Sequence, residues 1–407
     1  MSNTADLIDL TDTRIFENRA HYEVFSYLRE NSPIFWNEPR RHQGFWAVTR
    51  YDDVYACYVN HQGLTSTVGP ILGGSYGSAN TDTAANKMLV ASDLPRHRVL
   101  RKLVRITTSA PYVDRARTET RNLLAAALDK VEREGGGSVS EDLSLCLPMG
   151  ALMAIFGISS SRARELIAMT RSMIGIEDPF YGGSLNGNEL RLSSIHADML
   201  GFFDDELEYR RDNPSDDFIT YLLNAKVDGY TLTDEEILFN CMNLAVGGNE
   251  TSSYTASTGV FLFSEHKSAY NTLLERPELM DDAVNEILRW ASTNCYVLRK
   301  CTRDFELNGT TIKRGDLVTL WNVSANRDQE VFRDPDAFDI LRTPNRHLAY
   351  GHGVHRCVGA PLAAMELDLF FRQLVDRKLR LEVDGDVRWL RSNFINGPAI
   401  LNVSVCR

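Results

Sequence analysis

The sequence predicts a mainly α-helical protein with small β-sheets, and three observations lead there. Long stretches, 112–134, 141–157, 161–174, 188–211 and 234–265, repeat apolar residues at helical spacing. Runs that read as strands are short and few: 33–36, 45–49, 296–299, 310–312, 317–322 and 399–405. Near the C-terminus a glycine-rich loop, 350–359, runs directly into another helical pattern of Leu362, Met365, Leu369 and Phe370, so a helix begins near Gly359. At 407 residues the chain can bury a large core, and length alone suggests two or three domains.

Composition narrows the function classes. Charged residues make up 24% and the net charge is -11, which argues against general nucleic-acid binding. Asp6, Asp9, Asp12 and Arg14 interrupt the opening, so it reads as neither signal peptide nor anchor. No stretch approaches the ~18 uninterrupted apolar residues of a membrane span. The expectation is a cytoplasmic protein with no membrane partner. Seven cysteines (57, 146, 241, 295, 301, 357 and 406) form no CxxC pair, which fits a reducing compartment. Six of them read as small apolar packing residues. Cys357 stands apart.

Taken in order, residues 15–31 carry Phe16, Tyr22, Phe25 and Leu28 in helical register, and two short strands follow. Asp52 can cap the next helix. Residues 62–92 are Gly/Ser/Thr-rich, with Gly69, Gly73, Gly74 and Gly77, and a loop that long is usually functional. His97 and Arg101 then stand four apart and share a helix face, as two donors for two carboxylates. Arg96, Arg98, Lys102 and Arg105 make this helix a basic patch on an acidic protein, suited to an acidic docking partner or simply to solvation. Residues 177–183 break the helical pattern.

Thr233-Asp234-Glu235-Glu236 is a strong helix start. The helix it opens carries Gly247-Gly248-Asn249-Glu250-Thr251 at its centre. Two glycines and a threonine are poor helix formers. A hydroxyl bonding back to the preceding turn bends a helix and leaves a groove that can hold a diatomic ligand. Glu286 and Arg289, three apart, can pair on one side of a later helix. Cys357 sits at the start of the last helix, where partial positive charge and free N–H groups favour a thiolate. Such a thiolate is one of the known ways to hold haem iron. The bland alternative is a buried cysteine in a glycine-rich turn.

The run Tyr350-Gly-His-Gly-Val-His355-Arg-Cys357-Val-Gly359 resembles the haem-binding loop of the cytochrome P450 family, aromatic-Gly-x-Gly-x-His-x-Cys-x-Gly, with Tyr350 where Phe is usual. Gly247–Thr251 resembles the family's oxygen-binding helix, and Glu286-x-x-Arg289 its structural motif, 71 residues before Cys357. The resemblance covers residues 20–405. It implies the triangular-prism P450 fold with its long central oxygen-binding helix, a single domain over 1–407, and mobile substrate-access segments at 62–92 and 171–200. It further implies haem b (iron protoporphyrin IX), with Cys357 as the metal ligand. His97, Arg101, Gly247, Gly248, Arg299, His355 and Gly359 would contact the haem.

By the same match Thr251 would hydrogen-bond bound O2 and Glu250 would relay protons, which is general-acid work. Glu286, Arg289 and Arg327 would form a structural triad. Electrons would come from NAD(P)H through a ferredoxin or flavodoxin and its reductase, to a monomer. Ala291-Ser292-Thr293-Asn294 replaces the prolines usual after the Glu-x-x-Arg helix, so the turn there should differ.

Family position also implies a pocket of Asn243, Leu244, Gly247, Gly248, Asn294, Tyr296, Val297, Phe394 and Asn396. Three amides around an aromatic-containing pocket suit an amide- or amino-acid-bearing ligand, although each asparagine could equally cap a turn. The chain resembles actinobacterial members that tailor amino-acid-derived natural products. The favoured expectation is hydroxylation of an amino-acid- or peptide-derived metabolite, including one bound to a carrier protein. The alternative is ring closure by C–N or C–C bond formation on a free indole or aromatic dipeptide. A haem protein that only binds gas or carries electrons would need no proton relay, and peroxide-driven fatty-acid chemistry usually replaces Thr251; the pair Glu250-Thr251 argues against both.

Overall fold

The computed structural model describes residues 8–38, 43–73, 83–183 and 188–406. Its helices are α1 (Arg14–Glu17), α2 (His21–Asn31), α3 (Tyr51–Val59), α4 (Arg96–Val104), α5 (Ala110–Glu134), α6 (Cys146–Phe156) and α7 (Ser160–Ile174). They continue as α8 (Asn188–Asp212), α9 (Phe218–Asn224), α10 (Asp234–Glu265), α11 (Lys267–Glu275), α12 (Met280–Ala291), α13 (Asn322–Ala325) and α14 (Ala360–Asp376). Predominantly helical architecture is thus observed.

Local chemistry sets the ends. Thr233 and Glu236 form a reciprocal capping box at the start of α10, closing two of the free N–H groups there. Gly135 and Gly157 end α5 and α6 in the left-handed region that a side chain disfavours. Arg19, at φ +60°, divides the stretch expected as one helix over 15–31 into α1 and α2. Asp52 does not cap α3: the helix starts at Tyr51, whose N–H donates to Asp328 Oδ2 at 2.8 Å. The segment 141–157 begins as a wide turn at Val139–Leu143 and becomes α6 only at Cys146.

The largest sheet orders its strands Ile34–Asn37, Phe45–Val48, Leu317–Trp321, Tyr296–Cys301 and Leu64–Thr65. The first two form a hairpin. Leu317–Trp321 runs parallel to Phe45–Val48 and antiparallel to Tyr296–Cys301, with Trp321 opposite Tyr296. The last expected strand splits at Leu401: Pro398–Ile400 pairs with Arg388–Trp389, and Asn402–Cys406 pairs with Arg380–Val383 and Gly136–Ser138.

The core gathers around α10, which packs on α6, α7, α8, α12 and α14. Gly259 sets its approach to α14, because a Cβ there would run into the Phe371 ring. Among the described residues one helical stretch, Val139–Phe156, is long and apolar enough to cross a bilayer, and 78% of it is buried inside the protein. Of the two expected access segments, 74–82 (with Gly74 and Gly77) and 184–187 lie outside the described residues.

Candidate active site

A cavity of about 1030 Å³ opens between the centre of α10 and the loop before α14. That loop forms its floor. Gly351 and Gly353 adopt φ +63° and +69°, and a Cβ on Gly353 would stand 2.7 Å from the Tyr58 carbonyl oxygen. Glycine is required there for both reasons. The Cys357 N–H donates to Tyr350 O at 2.8 Å and fixes the loop, and Cys357 lines the cavity with Gly359 behind it. Cys357 is exposed to the cavity but hemmed in by protein, and that desolvation pushes its thiol up, against the Gly359 and Ala360 N–H groups and the Arg101 and Arg356 guanidiniums, which pull it down. The helix N-terminus acts as expected, but burial outweighs it. A cation at the sulfur would reverse the balance.

One wall gathers basic side chains. His97, Arg101, Arg299 and His355 all line the cavity. The His97 and His355 rings stand 4.3 Å apart, and His355 Nε2 lies 3.0 Å from Ser66 Oγ. Among the described residues His97 Nε2 is buried without a hydrogen-bond partner. Burial, then Arg101, lowers His97 to about 4; burial, then Arg299, His97 and Arg101, lowers His355 to about 2.

The roof is α10. Gly247 and Gly248 face open space, with nothing within 4 Å of where a Cβ would be. Thr251 Oγ1 donates to Gly247 O at 2.8 Å and Ser252 Oγ to Gly248 O at 3.2 Å. The expected back-bonding is present, yet the helix runs unbroken from Asp234 to Glu265. The groove comes from the missing side chains. Glu250 also borders the cavity but is held from α7: Thr170 Oγ1 donates to Glu250 Oε1 at 3.1 Å, and Arg171 Nε stands 3.7 Å from Oε2. Burial raises its carboxyl to about 7 against the pull of Arg171 and Thr170.

Sequence comparison decides what this arrangement is. The profile of the family described as Cytochrome P450 matches residues 16–276 and 272–394. The chain belongs to the cytochrome P450 family. It is 31% identical over 403 residues to linalool 8-monooxygenase of Pseudomonas putida, covering 97% of this chain and 98% of that one. Among solved structures it resembles the P450 OxyD, involved in the biosynthesis of vancomycin-type antibiotics (TM-score 0.86, 28% identity, 98% of this chain and 99% of that one). It also resembles P450BioI in complex with an acyl carrier protein ligated to hexadec-9Z-enoic acid (TM-score 0.85, 25% identity, 97% and 100%). The protein is a P450 monooxygenase with the P450 fold, and membership implies haem, O2 and electrons from a redox partner.

The residues present fit that haem. Four crowded basic groups on one wall, one with an unpartnered buried nitrogen, are relieved by two carboxylates such as the haem propionates. The thiol that burial disfavours as an anion is the one side chain of its kind in the cavity lining.

Several expected pocket residues of this P450 do meet at the cavity: Asn243, Leu244, Asn294, Val297 and Phe394. Among the described residues the Asn243 amide has no hydrogen-bond partner, and Asn294 Oδ1 accepts from Asn322 Nδ2 at 3.4 Å. Tyr296 and Asn396 stand behind the wall. Tyr296 is fully buried, accepts from the Leu72 N–H at 3.1 Å and packs on Phe394 and Trp321. Asn396 Nδ2 donates to Ala291 O at 2.9 Å and contacts Tyr22 Oη at 3.3 Å. At the turn after α12, hydroxyls replace proline: Ser292, at φ +41°, donates to Arg289 O at 2.7 Å, and Thr293 Oγ1 meets Thr255 Oγ1 at 2.8 Å.

The buried triad needs one correction. Glu286 accepts from Arg289 Nε and Nη2, both at 2.8 Å, but the second arginine is Arg342 at 3.1 Å, not Arg327. Arg327 lies over Tyr22 and Trp290 and donates to Trp290 O at 2.9 Å. Sequence reading also missed Glu366, which borders the cavity from α14. It is buried, and burial raises it to about 8 despite a hydrogen bond with Ser252. The signal was available: Glu366 interrupts the apolar stripe of Leu362, Leu369 and Phe370.

Proposed function

We propose that this P450 hydroxylates an amino-acid- or peptide-derived metabolite; Cys357 would hold the haem iron, and His97, Arg101, Arg299 and His355 would hold the haem carboxylates. Bound haem supplies the activation of O2. The polypeptide supplies the rest. Gly247 and Gly248 leave room in the cavity, Thr251 borders it with a hydroxyl, and Glu250 would hold a proton one residue away. Segments 62–92 and 171–200 would admit substrate. Arg98, Lys102, Arg105 and Arg356, all exposed, would receive the acidic redox partner, whereas Arg96 is paired to Glu236.

One observation supports the substrate class: polar groups with spare hydrogen-bonding capacity border a cavity that apolar side chains also line. The Asn243 amide lacks a partner among the described residues, and Arg391 borders the cavity while only its Nε is engaged, with Glu17 at 2.6 Å. Leu244, Ile174, Leu288 and Val297 supply the apolar remainder. That wall, with the likeness to linalool 8-monooxygenase, favours a terpenoid as the second reading.

The test is a spin-state titration of the ferric holoprotein with three ligand sets: aromatic amino acids and their dipeptides, the same units on a carrier protein, and linalool. A shift with the first set, or with the second alone, supports the proposal and separates free from carrier-bound substrate. A shift confined to linalool overturns it. Independently, Cys357→Ser should lose the thiolate spectrum, and Thr251→Ala should consume NAD(P)H without matching product.

A further inference from the structure

We propose that Thr170, on α7, is the positioning residue that aims the Glu250 carboxyl and gives its Oε1 a partner in both protonation states. The proposal rests on reading Glu250 as the proton donor beside Thr251.

Thr170 is fully buried, and its hydroxyl is a junction. The oxygen lies within reach of Asn249 Nδ2, 3.0 Å from Ile167 O and 3.1 Å from Glu250 Oε1. An amide NH2 can only donate, so Thr170 Oγ1 accepts from Asn249. One hydroxyl proton then has two destinations. When Glu250 is ionised, the charged acceptor is the stronger one, and the hydroxyl points to Oε1. When Glu250 is protonated, the hydroxyl can turn back to Ile167 O. Its second lone pair is then free to accept from the acid O–H. A single bond rotation therefore follows the proton, and the Thr170 hydroxyl keeps its own partners throughout.

Arg171 cannot do this. At 3.7 Å its Nε is beyond hydrogen-bond range of Oε2, so it contributes charge but no direction. Its guanidinium is also shared: Nη2 donates to Ser140 O at 3.2 Å, and Nη1 stands 3.7 Å from Glu141, whose side chain is 55% exposed. The other titratable groups facing this point are Tyr254 on α10 and Tyr181 beyond α7, joined at 3.1 Å between hydroxyls. Both tyrosines are raised by burial and stay neutral near pH 7, and Arg171 is raised and stays charged. Glu366 lies across α10, toward Ser252. Among these groups Glu250 alone changes charge near neutrality on the α7 side.

The position of Thr170 also links two tasks. Two further residues of α7, Met173 and Ile174, border the cavity. Any substrate that presses on them presses on the helix holding the proton donor.

The test follows the protonated-carboxyl C=O infrared band of the holoprotein against pH, assigned by its loss in E250Q, together with product formed per NAD(P)H. The wild-type midpoint should lie near neutrality. Thr170→Val keeps the shape and removes the hydroxyl that favours the ionised form, so the midpoint should rise by about one pH unit. Thr170→Ser should restore it. If T170V fails to load haem, the same infrared titration on T170A, or on the haem-free protein, gives the reading. An unchanged midpoint in T170V and T170A overturns the proposal, even if E250Q uncouples turnover. A shifted midpoint with fully coupled E250Q leaves the positioning intact and removes Glu250 as donor.

Discussion

Two buried glutamates in this P450 stand beside arginines, and their surroundings could hardly differ more. Glu286, on α12, accepts from Arg289 twice at 2.8 Å, from Arg342 at 3.1 and 3.2 Å, from Asn345 Nδ2 at 3.0 Å and from the Asp339 N–H at 3.0 Å. Glu250, on α10, has one hydroxyl at 3.1 Å and one guanidinium at 3.7 Å, and among the described residues its Oε2 accepts no hydrogen bond. Burial is the same in both. The donors are not. A carboxylate saturated with donors braces the loops behind the floor, while one left short of them holds its proton to about pH 7.

The contrast can be broken most forcefully at Arg289. Its guanidinium also donates to Asn326 O and Pro335 O at 2.8 Å and Ala337 O at 3.0 Å. Arg289→Ala strands these groups and a buried carboxylate, and should cost about 3–5 kcal/mol. Chemical denaturation and haem retention measure it; a loss below about 1 kcal/mol would put Glu286 in the same class as Glu250.

The next effect has the opposite sign. A carboxyl whose folded value is raised keeps its proton after the unfolded chain has lost it, so stability falls as pH rises from the ordinary carboxyl range to about 7. Glu250→Gln should flatten that slope, leaving the part that Glu366 contributes, and stabilise the protein at pH 8 by on the order of 2 kcal/mol. Denaturation midpoints at pH 5 and pH 8 decide this. A slope unchanged in E250Q would assign the pH dependence to Glu366, raised to about 8, instead. The smallest change sharpens the other side: Asn345→Ala withdraws one of several donors from Glu286 and should cost about 1 kcal/mol, with turnover unaffected.

The same contrast explains what could be read from the sequence. Cys357 with its glycines, and Gly247–Thr251, each lie within one short run, so spacing along the chain already fixes their geometry. Arg342 reaches Glu286 across 56 residues, and only the fold of the intervening loop selects it over Arg327. Tyr296 and Val297 were both expected at the cavity, but neighbours on a strand point to opposite faces, so only Val297 arrives. Asn396 is consumed by the Ala291 carbonyl, a contact 105 residues distant that composition cannot show. Thr170 belongs to no motif; its meaning appears only when α7 meets α10.

Gly259 and Phe371 lie away from all of this chemistry. Gly259 is eight residues past Thr251 on α10, and Phe371 is fourteen past Cys357, on α14. Where they touch, no atom can be added. Roof and floor belong to two helices that meet at that point, about 12 Å along α10 from Thr251. The gap between them is a gauge set by the thickness of one phenyl ring against bare backbone. A single methyl at Gly259 would change the gauge, and the height of the cavity would follow.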